Sequence, residues 1–142
     1  MKQPKFEYKD GHAVCIAEDN MGRQFKGEAW CSPEDKDLES EYTGLAIAEM
    51  RSQVAAARTY RNDLKLKLSA LNQLYYSMNQ SKKFNPKSYE NLMLQRQIRL
   101  IEDDLAIAKH QLAVLQLQLY EYVLNKNTFY EKIREHRKKR QS

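Results

Sequence analysis

The residues most able to do chemistry are arginines and aromatic residues on either side of a predicted break between two helices. Arg51 and Arg58 precede the break at residues 79–86, and Arg96 and Arg99 follow it. An arginine fork binds a phosphate through paired hydrogen bonds, and an aromatic face stacks on a purine ring. We therefore predict a pocket for a nucleotide-like anion near the break. The candidate ligand-binding residues are Arg51, Arg58, Tyr75, Tyr76, Phe84, Asn85, Lys87, Arg96 and Arg99.

A plainer interpretation of the same residues stays open. Tyr75 and Met78 could close the end of a helical core, while the neighbouring lysines are solvated.

Signatures of catalysis or metal binding are absent from the sequence. It has no Gly-rich phosphate loop, no HExxH motif, and no Ser or Cys nucleophile in a recognisable local context. His12, Cys15 and Cys31 lack the paired spacing of a zinc site, so we expect reduced thiols beside a surface histidine. We predict a protein that is not an enzyme and has no cofactor and no metal.

The elements that would position these residues are two long helices. The first apolar stripe has steps of three and four, which keep side chains on one helix face. Its members are Ile47, Met50, Val54, Ala57, Arg61, Leu64, Leu68, Leu71, Tyr75 and Met78. The second stripe comprises Leu94, Ile98, Ile101, Leu105, Ala108, Leu112, Leu115, Leu119 and Tyr122. An antiparallel hairpin would bring Arg61 opposite Asp104, and we expect that pair to fix the register.

Residues 1–31 predict a small antiparallel β-meander. Asp10-Gly11 is a two-residue hairpin signal, and residues 19–22 supply the next turn. Along the third strand, Phe25, Gly27, Ala29 and Cys31 are predicted to face one side and the alternate residues the other. Residues 32–44 form a connector, with a short helical turn from Ser32 and an interruption at Gly44. The helical hairpin occupies residues 45–124, with Asn85-Pro86 capping its second helix. A break at residues 125–127 would separate a short terminal helix and basic tail, 125–142. The predicted fold is a single α+β domain.

A second apolar row on the second helix predicts self-association. Met93, Leu100, Ile107 and Val114 recur every seven residues, and Leu117 and Leu124 extend the face. A two-helix hairpin buries one narrow seam, so a broader apolar face needs further neighbours. We expect a homo-oligomer; the alternative is that the β-meander covers this row.

Charge divides the chain unequally. The 142 residues have a net charge of +5, but residues 1–44 hold six Lys or Arg against ten Asp or Glu. The helical part is correspondingly basic, which favours an anionic partner. A nucleic acid could contact the basic tail, whose cations are Lys132, Arg134, Arg137, Lys138, Lys139 and Arg140. Because no apolar run is long enough to cross a bilayer and the N-terminus lacks a secretory core, we expect a cytoplasmic protein without membrane contact.

One passage between strand and helix has a recognisable pattern. Residues 27–37, GEAWCSPEDKD, lead into residues 41–51, EYTGLAIAEMR. This passage resembles small phage and prophage proteins of Gram-positive bacteria. With the β-meander, the long helices and the length, the chain is similar to the phage anti-Thoeris sponge proteins. The resemblance, specific over residues 10–55, implies an oligomer that sequesters a cyclic ADP-ribose-type immune signal in the host cytoplasm and so inhibits antiviral defence.

Three hypotheses follow from the sequence. The first is a ligand-sequestering protein that works by stoichiometric binding. The second is a nucleic-acid-binding accessory protein that uses the basic helices and tail. The third is a coiled coil that binds a host protein. The first is our leading hypothesis, since it joins the basic helices with the phage-like passage.

Overall fold

The computed structural model describes residues 3–31, 40–80, 85 and 87–141, with side chains through residue 140. Three strands precede two helices, which confirms the predicted α+β fold. The elements are β1 (Lys5–Lys9), β2 (His12–Glu18), β3 (Gln24–Trp30), α1 (Glu41–Asn79) and α2 (Tyr89–Gln141).

The chain divides into two compact units. The first, here called the sheet unit, comprises Met1–Ala56 and Ala113–Ser142, and the second, the hairpin unit, comprises Ala57–Leu112. Both helices contribute residues to each unit.

The sheet is an antiparallel meander in the order β1-β2-β3. Asp10 and Gly11 both have positive φ, 50° and 83°, and Lys9 pairs with His12 across them. This is the two-residue turn that the sequence predicts, since its backbone twist matches that of the flanking strands. At the second turn, Asp19 Oδ1 accepts hydrogen bonds from the amides of Met21 and Arg23, each at 2.9 Å.

One face of the sheet packs directly on the start of α1. Along β3, Phe25, Gly27 and Ala29 are buried while the alternate residues face outward, as predicted. A Cβ at Gly27 would lie 2.5 Å from the amide nitrogen of Ser52, and closer still to the carbonyl oxygen of Ala48. Only glycine therefore allows this approach of strand to helix. The core of the sheet unit contains Ala13, Cys15, Ala29, Ile47 and Ala48, flanked by Tyr8, Leu45, Leu119, Tyr122 and Val123.

The hairpin unit has its own apolar core along the predicted seam. Its buried members are Leu64, Ile101, Leu105 and Ala108, with Leu68 and Leu71 packed against them. The predicted Arg61–Asp104 pair is wrong. Arg61 instead donates from Nε and Nη2 to Oδ1 of Asn62, at 3.2 and 3.0 Å, while Asp104 is exposed. An adjacent amide satisfies the guanidinium without the desolvation cost of an interhelical ion pair.

The helix boundaries differ from the predicted ones at three places. Ser40 caps α1, accepting from the amide of Thr43 at 3.4 Å, and Gly44 lies inside the first turn instead of interrupting it. The cap of α2 is Ser88, which accepts from the amide of Asn91 at 3.4 Å, in place of Asn85. Residues 125–127 do not break α2, which continues unbroken to Gln141, so there is no separate terminal helix within the described residues. Residues 32–35 and Pro86 lie outside the described residues.

The second apolar row on α2 remains exposed. Leu100, Ile107, Val114, Leu117 and Leu124 all have large accessible surfaces, and Met93 is half-buried. Within the described residues, most of this row is therefore accessible to solvent. Neither α1 nor α2 has a stretch long and apolar enough to cross a membrane; this finding applies to the described part of the chain.

Candidate functional site

The structure divides the predicted site residues between the two units. Arg51 lies in the sheet unit, where its Nη1 donates to the carbonyl oxygen of Glu28 at 2.6 Å. This bond joins α1 to a backbone oxygen of β3. Arg51 therefore has a structural contact of its own, independent of any ligand.

Around the bend, the described polar groups are used by the backbone. Asn85 Oδ1 accepts from the amide of Lys87 at 3.0 Å, and the Asn85 carbonyl accepts from the amide of Ser88 at 3.1 Å and from Nδ2 of Asn91. Asn85 thus shapes the entry to α2, and the side-chain oxygen of this candidate ligand-binding residue is engaged locally. Lys87 is exposed beside it, and Phe84 lies outside the described residues.

The other predicted residues belong to the hairpin unit and do not share one site. Arg58 and Arg96 are exposed on α1 and α2, respectively. Tyr75 and Arg99 line a cavity of 320 Å³ together with the carboxylate-bearing Glu102. Gln95 also lines it, its Nε2 lying 3.5 Å from the Tyr75 hydroxyl. Because a carboxylate repels phosphate at short range, this cavity suits an anion poorly.

A larger groove lies between α1 and α2 in the hairpin unit and shares Asn72 with this cavity. Its volume is about 690 Å³, within the range of small-molecule sites, and it is open to solvent. The lining residues are Lys65, Leu68, Ser69, Asn72, Gln73, Tyr76, Ser77, Leu105 and Lys109. Of the predicted site residues, only Tyr76 lies here.

The described charged residues that line this groove are all cations. Lys65 comes from α1 and Lys109 from α2, and none of the described lining residues is acidic. The Tyr76 ring is 65% exposed, so one of its faces is free to stack. Asn72 and Gln73 supply both amide donors and amide acceptors. Cations, an aromatic face and amides are the groups that recognise phosphate, a base ring and its polar edge.

Four residues of this groove are absent from the predicted site: Lys65, Asn72, Gln73 and Lys109. The missing signal was positional: Lys65, Ser69, Asn72 and Tyr76 step by four, three and four along α1, directly beside the apolar stripe. Residues flanking a seam line the grooves next to it. The predicted site instead consists of arginines and of residues near the bend.

The remaining candidates for chemistry are His12 and the two cysteines. The His12 ring stacks on Trp30 with centroids 3.6 Å apart, and its Nε2 lies 3.7 Å from Glu28 Oε1. Lys26 Nζ binds the same oxygen at 2.7 Å, and this hydrogen bond is the chief reason why the pKa of Glu28 is lowered. Among the described residues, no three His, Cys, Asp or Glu side chains form a cluster that could hold a metal ion.

Cys15 is fully buried on the inner face of β2. Burial raises the pKa of its thiol, and the nearby carboxylate of Glu49 raises it further, against the effect of the Ser52 hydroxyl 3.5 Å away. A buried neutral thiol is a packing residue, because the reactive species is the exposed thiolate.

Comparisons of the chain with protein-family models, curated protein sequences and solved structures found no match.

Proposed function

We propose that the protein binds and sequesters, without turnover, a small anionic ligand with a planar ring, and that this ligand is a nucleotide. The observation that supports the proposal is the groove of the hairpin unit, in which two lysines and an exposed tyrosine face the same 690 Å³ of space and none of the described lining residues is acidic. A pocket of that volume accommodates a nucleotide-sized molecule.

Each kind of group in the groove has a defined role in the proposal. Lys65 and Lys109 bind the phosphates from opposite helices, as point charges rather than as bidentate forks. Tyr76 stacks on the base, and Asn72 and Gln73 bond to a base edge or ribose hydroxyl. Leu68 and Leu105 form the apolar floor, which keeps water from the stacked ring.

The resemblance to the anti-Thoeris sponge proteins narrows the ligand and extends the role. It suggests a cyclic ADP-ribose-type immune signal, so that stoichiometric capture by a phage protein would inhibit host antiviral defence. Two lysines on facing helices suit the two linked phosphates of such a ligand.

Self-association is part of the same proposal. The exposed apolar residues along α2 lie together in a row and are not scattered singly over the surface. Apolar patches of this kind mark interaction sites. A homo-oligomer would present several grooves per particle.

Isothermal titration calorimetry with cyclic ADP-ribose isomers, ADP-ribose and AMP tests the ligand proposal. We expect one ligand bound per groove. Tyr76→Ala should weaken binding about 5- to 100-fold, since a base–aromatic stack contributes about 1–3 kcal/mol. Lys65→Glu should weaken ligand binding more than Tyr76→Ala does, because the new carboxylate repels phosphate.

Matched controls exist on the same helix. Tyr60→Ala removes another exposed tyrosine outside the groove, and Lys67→Glu reverses an exposed lysine two positions from Lys65. Both should bind as wild type does. Absence of binding at high ligand concentration, or equal losses in Tyr60→Ala and Tyr76→Ala, would contradict the proposal.

Nucleic-acid binding is the second candidate, favoured by one observation. Lys138, Lys139 and Arg140 occupy the last turn of a continuous α2, so the basic tail is helical. Cations at a helix C-terminus also stabilise the helix dipole, which explains the same residues without a partner. DNA or RNA binding that falls steeply with salt, and that is lost on deleting residues 132–142, would favour this function instead.

A further inference from the structure

A self-complementary charge pattern flanks the apolar row in the hairpin unit. Within this unit the row consists of Met93, Leu100 and Ile107 on α2. Leu100 is 47% exposed and Ile107 56%. At 100° per residue, Arg96 and Asp103 lie on one side of the row, and Gln97 and Asp104 on the other.

Two charged residues beside the row, Arg96 and Asp103, are accessible to a partner. Arg96 and Asp103 are both exposed, and neither has an ion-pair partner among the residues that the structure describes. They are seven positions apart on α2, about 10 Å along the axis, which is too far for an ion pair between them.

A two-fold axis at Leu100 that relates two antiparallel α2 helices pairs both the row and the polar residues beside it. Such an axis places Leu100 against the partner's Leu100 and Met93 against the partner's Ile107. It also keeps residues from the same side of the row together, so that Arg96 faces the partner's Asp103 and Gln97 faces the partner's Asp104. By symmetry each contact occurs twice.

We propose that a second copy of this chain docks on this face, with the two α2 helices antiparallel and the two-fold axis at Leu100. The inference rests on the self-association proposed above and adds to it the occupant, the direction and the register. Charge complementarity favours the second copy: this one operation brings apolar residues against apolar residues and Arg96 against an aspartate, while Asp104 faces the Gln97 amide.

The proposed interface leaves the ligand groove open. On α2 the groove is lined by Leu105 and Lys109, which lie on a different side of the helix from the row. The proposed dimer interface is also small, and interfaces of limited area are weak or transient. We expect a dimer that dissociates on dilution and whose formation is independent of ligand.

Complementary charge reversals test the register. Analytical ultracentrifugation of the full chain should show a concentration-dependent dimer. Arg96→Asp alone and Asp103→Arg alone should each raise the dimer dissociation constant by about tenfold or more, because attraction becomes repulsion at two symmetric contacts. A mixture of the two variants should form a heterodimer with near wild-type affinity, since each aspartate then faces an arginine.

The double variant R96D/D103R should also regain the wild-type dissociation constant. Lys67→Asp, an equal change of charge on the exposed side of α1, is the matched control and should leave dimerisation unchanged. Circular dichroism of each variant verifies that it is folded.

The outcomes separate the inference from the proposals on which it rests. A wild-type chain that is monomeric at all concentrations overturns both the self-association and the register. A dimer that neither single variant weakens, or that the mixture does not restore, overturns the register and leaves self-association standing. Because dimerisation needs no nucleotide, either result leaves the ligand proposal intact.

Discussion

The sheet unit and the hairpin unit are stabilised in different ways, and the proposed ligand groove and dimer face both lie in the hairpin unit. In the sheet unit, Gly27 lies against the backbone of α1, and Arg51 bonds to a carbonyl of β3. These contacts allow few substitutions. In the hairpin unit, one apolar seam suffices, and the faces beside it are left open as a groove and an apolar row. The proposed partner sites lie on helix faces that are not used in packing.

The largest expected effect tests the close packing of the sheet unit. Gly27→Ala should lower the free energy of unfolding by about 3 kcal/mol or more, because its Cβ would collide with backbone atoms of Ala48 and Ser52, which cannot rotate away. Urea unfolding followed by circular dichroism measures the loss. Gln24→Ala, an exposed position on the same strand, should change the value by about 0.5 kcal/mol or less. Equal stability of Gly27→Ala and wild type would show that the two elements are not packed this closely.

A smaller effect is expected from the seam of the hairpin unit. Ile101→Ala removes a buried side chain and should cost about 2–4 kcal/mol of unfolding free energy. The adjacent Leu100→Ala should cost much less at protein concentrations where the chain is monomeric, since Leu100 is exposed. Its effect should grow with protein concentration if the α2 dimer forms. Thermal unfolding at several concentrations distinguishes the two variants, and equal losses would mean that the seam is misassigned.

The smallest effect concerns the buried thiol of the sheet unit. Ser52→Ala removes a hydroxyl that lowers the pKa of Cys15, so this pKa should rise further. Because burial raises the folded-state pKa above the unfolded one, the contribution of the Cys15 thiol to stability is fully present below the unfolded pKa and is lost as pH rises through the folded value. An NMR titration of the Cys15 signals against pH in the folded protein tests the sign. A lower pKa of Cys15 in Ser52→Ala than in wild type would contradict this assignment.

Local chemistry made most of the fold predictable. The Asp10-Gly11 turn, the alternation along β3 and the seam with Leu64 and Ile101 all follow from short-range rules, and the structure confirms them. The errors fall where tertiary context outweighs weak local preferences. Gly44 is accommodated because Ser40 caps the turn around it, with the Gly44 amide bonded to the Ser40 carbonyl at 3.0 Å.

The second error has a similar cause. Residues 125–127 were expected to break α2, yet asparagine costs a helix only about 0.7 kcal/mol at most. Lys126 has its Nζ 5.5 Å from the centre of the Tyr130 ring, one turn onward, and Tyr130 is itself buried. Such contacts across the expected break outweigh a small unfavourable propensity.

The candidate site was less predictable than the fold. Residue types indicated an anion with a ring, and that hypothesis remains, but the geometry of two packed helices decides which flanks stay open. Tyr75 and Tyr76 are adjacent in sequence and line different cavities. Arg51, the first arginine of the predicted site, bonds to a strand carbonyl instead. Position relative to the seam is more informative here than residue type.

The most direct test of the central claim, that the hairpin unit binds the ligand, is an NMR titration of the ¹⁵N-labelled full chain with ADP-ribose. The account predicts saturable shifts of the amide resonances of Lys65, Asn72, Tyr76 and Lys109, with those of β2 and β3 unchanged. Saturable shifts confined to the sheet unit or the C-terminal turns of α2, or no shifts at all, would contradict it.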